Sequence, residues 1–218
     1  MTPSSVPSFG YGTAARRVLA IPELIQTICS YGTRGSNASS ALVCRSWSGP
    51  ALDHVWREVD DLYYLLQVLV PIHSRGEHYE FSCNPTPADW AHFIPYARRV
   101  RSLKFGTNDN EKAPRLARSV FDVLGRTRTT LEVLPNLRRL CWLSKCYPQN
   151  AIVFMHDKVT EFTFDCRMTT LVADITGRMP SLISLECRAH CPQYVFLRVE
   201  SLLGFTQVTG DNCAQVLS

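Results

Sequence analysis

The sequence predicts a mixed fold in which a small all-α region is followed by an irregular α/β solenoid. Short apolar stripes at helical spacing fill residues 16–70 and predict several amphipathic helices there. Beyond residue 95, an alternating apolar run recurs with helical stripes between its copies, which is typical of stacked strand–helix units. Hydrophobic residues make up 45% of the 218 residues, so the chain can bury cores of this size and wholesale disorder is excluded.

The first helix of the all-α region is predicted to begin at Pro22 and to end at Gly32. Proline suits the first helical position because its missing N–H has no helical partner there, and glycine commonly follows a helix end. A second helix is expected to run through Trp47. Its N-cap, the residue whose side chain accepts a bond from the first turn, is predicted to be Ser36 or Asn37.

Three further helices are predicted from apolar residues at i, i+3, i+4 and i+7. The stripes are Leu52, Val55, Trp56 and Val59; Leu62, Leu65, Leu66 and Leu69; and Trp90, Phe93, Ile94 and Ala97. We expect the segment 48–50 to open the first of these helices and Asp60-Asp61 to cap the second. Thr86 and Asp89 form a predicted capping box at the start of the third.

The alternating run places apolar residues at positions 1, 4 and 6 of a predicted strand. Its copies are Val100, Leu103 and Phe105; Leu137, Leu140 and Trp142; Val159, Phe162 and Phe164; Leu182, Leu185 and Cys187; and a weaker one at Val199 and Leu202. Helical stripes lie between copies, at Ala117, Val120, Phe121 and Leu124 and at Met168, Leu171, Val172 and Ile175. Successive copies start 37, 22, 23 and 17 residues apart. Repeats of about 20–29 residues indicate a leucine-rich-repeat solenoid, here an irregular one.

These patterns divide the chain into four regions. We expect a disordered lead-in at residues 1–15, which are rich in Ser, Pro, Gly and Thr, and the helical region at 16–70. Residues 71–86 are predicted to be a loop or linker, and residues 87–218 the repeat region. A solenoid needs a terminal cap, and the last nine residues contain no capping helix pattern, so we expect a truncated or shortened repeat region.

The helical region resembles the F-box family. The resemblance rests on Ile21-Pro22-Glu23-Leu24-Ile25-x-x-Ile28 and, fifteen positions after Ile28, on Val43-Cys44-Arg45-Ser46-Trp47. The family pattern opens with Leu-Pro and Glu-Leu-Leu-x-x-Ile and closes with Val-Cys-Arg-x-Trp. The continuation from Pro50 to Leu62 is similar to a large fungal class of F-box proteins that continue into irregular leucine-rich repeats.

The resemblance implies a non-catalytic substrate receptor of a cullin-RING ubiquitin ligase. The F-box would dock on the Skp-type adaptor of the ligase, and the repeats would hold an unknown protein substrate. The implied adaptor contacts are Ile21, Pro22, Leu24, Ile25, Ile28, Leu42, Val43 and Trp47, with Trp47 also closing the core of the box. Gly32 and Asn37 stand where the family usually has apolar side chains. They keep open an alternative, a freestanding leucine-rich-repeat interaction module with a degenerate F-box.

Other features of the sequence argue against an enzyme and against a membrane protein. The chain has no nucleophile elbow, phosphate-binding glycine loop or dinucleotide fingerprint, so we expect no active site and no cofactor. Cys187, His190 and Cys191 lack a second ligand pair, so we expect no metal. Cys44 is interpreted as a small packed hydrophobe. Residues 1–17 hold no apolar run, and segment 62–70 is shorter than the roughly 20 residues of a membrane helix, so we expect a cytoplasmic or nuclear protein with reduced thiols.

The net charge of +4 is too small to indicate nucleic acid, but the charge is uneven. Residues 95–139 hold eleven basic and four acidic residues, an excess of +7, and 19 of the 23 basic residues of the chain are arginine. One interpretation is a solvated face. Another is a patch that binds an acidic or phosphorylated substrate segment, with Arg101, Lys104, Arg138 and Arg139 as the candidate residues. Nucleic acid is the least favoured interpretation, because aromatic residues do not alternate with the basic ones.

Overall fold

The computed structural model of the protein describes residues 19, 21–106, 115–144, 148–165, 172–188, 195–199 and 206–209. Within these ranges the fold is mixed α/β, with seven α-helices and ten strands. The chain divides into two compact units, Met1–Val55 and Trp56–Ser218. The expected lead-in at 1–15 and the last nine residues lie outside the described residues.

The first unit contains helices α1 (Pro22–Tyr31) and α2 (Arg34–Ser40). The first follows its prediction, with proline at the first position and Gly32 immediately after its end. The second does not. Thr33, rather than Ser36 or Asn37, is its N-cap, because the Thr33 hydroxyl accepts the Ser36 N–H at 3.2 Å. The helix also ends at Ser40, well before Trp47.

Helix α3 (Arg45–Arg57) begins earlier than predicted and continues through Pro50. A proline inside a helix removes one backbone hydrogen bond and crowds the preceding turn. Ala51, which is fully buried, and Trp47 pack with Ile25 and Cys29 of α1 in one apolar cluster. This burial stabilises the helical conformation before and after Pro50. A prediction that starts the helix near the proline, without knowledge of this packing, therefore places the start of α3 too late.

A seven-stranded sheet organises the second unit. Its order is β1 (Glu58–Val59), β4 (Ser102–Phe105), β6 (Arg139–Trp142), β7 (Glu161–Asp165), β8 (Ser184–Arg188), β9 (Val195–Val199) and β10 (Thr206–Thr209). The first five are parallel neighbours, and the last two pair antiparallel. One apolar column crosses the parallel strands in register, formed by Val59, Leu103, Leu140, Phe162 and Leu185. The apolar residues of the repeated run therefore line up across the strands and form one continuous core face.

The predicted register of the repeats is confirmed for the first four copies. Their position-1 and position-4 side chains are buried, except for the partly buried Leu185, and Trp142 and Phe164 bury position 6 as well. The fifth copy is wrong as a parallel strand. Val199 is the last residue of the antiparallel β9, and Leu202 lies outside the described residues.

The helical elements of the second unit lie between the strands in sequence. They are α4 (Leu62–Leu66), α5 (Pro87–Ala97), α6 (Arg118–Thr127), a 3-10 helix (Pro148–Val153) and α7 (Val172–Arg178). Asp61 caps α4 by accepting the Tyr63 N–H at 2.9 Å, as its position predicts. Thr86 and Asp89 form the predicted capping box, and the Thr86 hydroxyl bond to the Asp89 carboxylate holds the pKa of that carboxyl below its usual value. Met168 and Leu171 of the last predicted stripe lie outside the described residues.

Two parts of the second unit differ from the prediction. Val59 lies in β1 instead of ending a helix, because it pairs with Leu103 in the sheet. The expected linker contains a hairpin, β2 (Ile72–Arg75) and β3 (His78–Phe81), which β5 (Arg115–Leu116) extends to three strands. Gly76, with φ of 64°, is the first residue of the two-residue turn of this hairpin. A positive φ is what such tight turns require and what glycine permits.

Candidate functional sites

Five large apolar side chains that match the F-box pattern, or lie beside a match, are exposed on the first unit. We call Ile21, Leu24, Ile28, Leu42 and Val43 the exposed apolar set. Leu24 and Ile28 lie one turn apart on α1, while Leu42 and Val43 lie in the turn before α3, where they are 88% and 70% exposed. Exposing so many large apolar groups in one small unit leaves apolar surface that a partner could bury.

The other three predicted adaptor residues have different surroundings. Pro22 is exposed at the start of α1. Ile25 is only 1% exposed and Trp47 is half-buried against it, so both belong to the core of the first unit. Their side chains hold α1 against α3 and thereby fix the positions of the exposed neighbours.

Gly32 and Asn37, the two departures from the family pattern, contact each other. Asn37 is buried, and its side-chain amide donates to the Cys29 carbonyl at 2.9 Å and to the Gly32 carbonyl at 3.4 Å. A Cβ added at Gly32 would lie 2.7 Å from Asn37 Oδ1. The asparagine therefore satisfies a carbonyl at the end of α1, and the glycine leaves it the room to do so.

Cys44 corrects the interpretation of this residue as a packed hydrophobe. Its thiol is exposed beside Val43, and the sulfur lies 3.1 Å from the Ser46 hydroxyl oxygen. Hydrogen bonds from the Ser46 hydroxyl and the Trp47 backbone N–H lower the pKa of this thiol. Cys29 does behave as a packed residue, and burial raises the pKa of its thiol.

The second candidate site lies where the parallel strands of the second unit begin. The Arg101 N–H donates to the Arg57 carbonyl at 2.8 Å, and the Arg138 N–H donates to the Arg101 carbonyl at 2.8 Å. These bonds place the three arginines on neighbouring strand starts, and we call Arg57, Arg101 and Arg138 the arginine column. The first two repeat copies are therefore neighbours in the sheet, although 37 residues separate their starts.

The arginine column opens onto a surface depression of about 210 Å³. The depression is lined by Arg57, Glu58, Arg101, Ser102, Arg138, Arg139 and Glu161. Arg139 pairs with Glu161 at 3.2 Å. Arg101 and Arg138 each donate one guanidinium N–H, to the Asn136 and Lys158 carbonyls, both at 3.2 Å.

Three of the four predicted basic residues therefore converge, and Lys104 does not. Lys104 pairs with Asp60 at 3.2 Å and does not line the depression. Arg57 was missed because its segment reads as the end of a helix. A usable signal was present, since Trp56 and Val59 occupy positions 1 and 4 of the repeated run, which puts Arg57 in line with Arg101 and Arg138.

Comparisons with protein-family models, with curated proteins and with solved structures find no match to this chain. Within the described ranges, no three His, Cys, Asp or Glu side chains are grouped so that they could hold a metal ion. His190 and Cys191 lie outside those ranges. No helix in the described part of the chain combines the length and apolar character that crossing a membrane requires.

Proposed function

We propose that this protein is a non-catalytic substrate receptor of a cullin-RING ubiquitin ligase, in which the first unit docks on a Skp-type adaptor. The observation that supports the proposal is the exposed apolar set on the first unit. Ile21, Leu24, Ile28 and Val43 occupy F-box pattern positions, and each of them is a large apolar group facing solvent. A lone protein gains nothing from this exposure, whereas an adaptor groove would bury it.

The helical layout of the first unit supports the same proposal. Helices α1 and α3 contribute the residues of a small buried cluster, Ile25, Cys29 and Ala51. A core of this size is near the lower limit for independent stability, and apolar burial contributes about 25 cal/mol per Å². Binding an adaptor would therefore add stability where the unit itself has little.

We assign the binding of the target protein to the second unit, which we take to be an irregular leucine-rich-repeat solenoid. Its support is the run of five parallel strands that share one register, with apolar residues on one face and polar residues on the other. Arg139, Glu161 and Ser184 lie side by side on the polar face and are exposed. A row of exposed side chains with fixed spacing is a surface on which partner specificity can be built.

The first prediction concerns the two most exposed members of the set. The double variant Leu42→Ser, Val43→Ser should weaken binding to the purified adaptor at least tenfold, because two apolar side chains no longer become buried on docking. Affinity is measured by calorimetric titration of the full chain with the adaptor. The matched control is Leu131→Ser, which removes a side chain that is 75% exposed in the second unit and should leave the affinity unchanged.

Equal losses in the double variant and in the Leu131→Ser control would contradict the proposed docking face. If the wild-type chain itself fails to bind the adaptor yet still captures a target, the alternative of a freestanding repeat module replaces the receptor proposal. The first unit accommodates Gly32 and Asn37 by their hydrogen-bonded packing, so these two departures from the family pattern do not by themselves support the alternative.

A further inference from the structure

We propose that the depression at the strand starts binds the phosphate group of a phosphorylated peptide segment, with the arginine column as its donors. The inference rests on the proposed receptor role only in that the peptide is taken to belong to a captured target protein. Of the basic residues predicted from the sequence, it keeps Arg101 and Arg138 as donors, leaves out the ion-paired Lys104 and Arg139, and adds Arg57.

The backbone hydrogen bonds fix the spacing of the positions that carry the donors. Neighbouring parallel strands lie about 4.8 Å apart, so the side chains of Arg57, Arg101 and Arg138 start from regularly spaced backbone positions along one edge. All three side chains are exposed and all three line the same depression. A tetrahedral phosphate offers several acceptor oxygens, which donors from more than one strand can reach together.

The charges around the depression leave an excess that matches a phosphate monoester. Four arginines and two glutamates line it, which gives a formal charge of 4 − 2 = +2. The ion pair between Arg139 and Glu161 neutralises one charge of each sign. A phosphoserine carries about −1.5 to −2 at neutral pH, close to the remaining excess.

The arginine side chains also keep donors available. A guanidinium group has five N–H donors. Among the residues that the structure describes, Arg101 and Arg138 each donate one N–H to a backbone carbonyl, which orients the group. Arginine binds phosphate through two parallel bonds, a geometry that lysine cannot reproduce. The bonds to Asn136 and Lys158 therefore preorganise the donors while leaving most of them for a ligand.

The size and lining of the depression favour one anionic group of a peptide. About 210 Å³ is below the roughly 300–1,000 Å³ of pockets that enclose whole drug-sized ligands. None of the described residues that line it is aromatic, so this part of the chain offers no stacking platform of the kind that holds single-stranded nucleic acids.

The test titrates the full chain with a pool of random peptides that carry a central phosphoserine, followed by fluorescence anisotropy. Parallel arms use the same pool with serine, the same pool with a central Asp-Glu pair, and a single-stranded oligonucleotide. We expect binding of the phosphoserine pool, competition by inorganic phosphate, weaker binding of the Asp-Glu pool, and an affinity that falls as salt rises. No binding of the phosphoserine pool, or tighter binding of the oligonucleotide, would overturn the proposal.

Substitutions then locate the site. Arg57→Gln, Arg101→Gln and Arg138→Gln should each weaken binding of the phosphoserine pool by about tenfold, and Arg101→Lys, which keeps the charge, should still weaken it severalfold. Lys104→Gln is the matched control outside the depression and should change affinity less than twofold. Thermal unfolding and adaptor affinity are measured on every variant. Both should be unchanged, so a failed phosphopeptide site and a failed adaptor proposal give different results. Equal losses in Lys104→Gln and in the column variants would show diffuse charge attraction and reject the site.

Discussion

Gly32 and Asn37 act as a matched pair at the end of α1. The Cys29 carbonyl accepts both the Gly32 N–H at 3.1 Å and the Asn37 amide at 2.9 Å, so this helix end is satisfied from two directions. Asn37 is buried, and any Cβ at position 32 would press on its amide oxygen. Each residue therefore suits the other, although neither matches the apolar side chains usual in the F-box pattern that this segment resembles.

A double-mutant cycle tests this pairing. Gly32→Ala should destabilise the first unit by about 1–3 kcal/mol, because the added methyl group displaces the buried amide. Asn37→Ala should cost about 1–2 kcal/mol, because the Cys29 carbonyl loses one of its two donors. In the double variant the space left by the asparagine accepts the new methyl group, so the combined loss should be smaller than the sum.

The readout for the cycle is hydrogen exchange of the α1 amides, which reports the free energy of opening of the first unit. Strictly additive losses would mean that the two positions do not act as a pair. Unchanged exchange in Asn37→Ala would mean that its bond to Cys29 contributes nothing to the stability of α1.

Sequence rules predicted the hydrogen-bond partner of a single residue correctly only where the two residues are close in sequence. Thr86 with Asp89, and Asp61 with Tyr63, follow from spacing alone, because a cap and its N–H partner are two or three residues apart. Asparagine is a residue type favoured at N-caps, yet the side-chain amide of Asn37 donates a hydrogen bond to the carbonyl of Cys29, eight residues earlier in the chain. That contact depends on how α1 and α2 pack, which residue type does not reveal.

At the scale of elements, the parallel strands share one core column. Leu140 and Phe162 are each 1% exposed and pair directly across β6 and β7. Phe105 and Trp142 extend this core with ring centroids 4.5 Å apart. Each strand therefore depends on its neighbours for burial, as expected when no single unit can bury its own apolar face.

A carboxylate introduced into these strands should lower the free energy of unfolding strongly at a core position and very little at an exposed position. Leu140→Asp should cost more than about 3 kcal/mol of unfolding free energy, because it places an unpaired carboxylate in an apolar core. Ser184→Asp introduces the same group at an exposed position of β8 and should stay within about 0.5 kcal/mol of wild type. Urea unfolding measures both, and similar losses would mean that the strand register is wrong.

The repeated strands were predictable because their period is sustained over four copies. The strand β1 was missed because its only two residues end a run, Leu52 to Val59, whose spacing is also helical. The hairpin at 72–81 was missed because β2 carries mostly polar, exposed residues such as His73 and Ser74, which are typical of a loop. Gly76 between the two strands was the one local signal for it.

At the scale of the whole molecule, the proposed apolar docking surface and the proposed phosphate-binding site lie in different units. The exposed apolar set lies in the first unit, and the arginine column lies in the second. The net charge of +4 does not reveal how strongly the basic residues are concentrated, because the excess of +7 in residues 95–139 is partly balanced by an excess of acidic residues in the rest of the chain. The sequence predicted the basic stretch, whereas the convergence of Arg57 with Arg101 and Arg138 depends on β1, β4 and β6 being neighbours in the sheet.

The central claim, that the first unit docks on a Skp-type adaptor, is tested most directly by hydrogen–deuterium exchange of the full chain with and without the purified adaptor. The account predicts slower exchange in the amides of α1 and of the turn at 41–44 when the adaptor is present, because docking excludes water from the exposed apolar set. Exchange in β6 and β7 should not change. Protection confined to the second unit, or no protection at saturating adaptor, would contradict the claim.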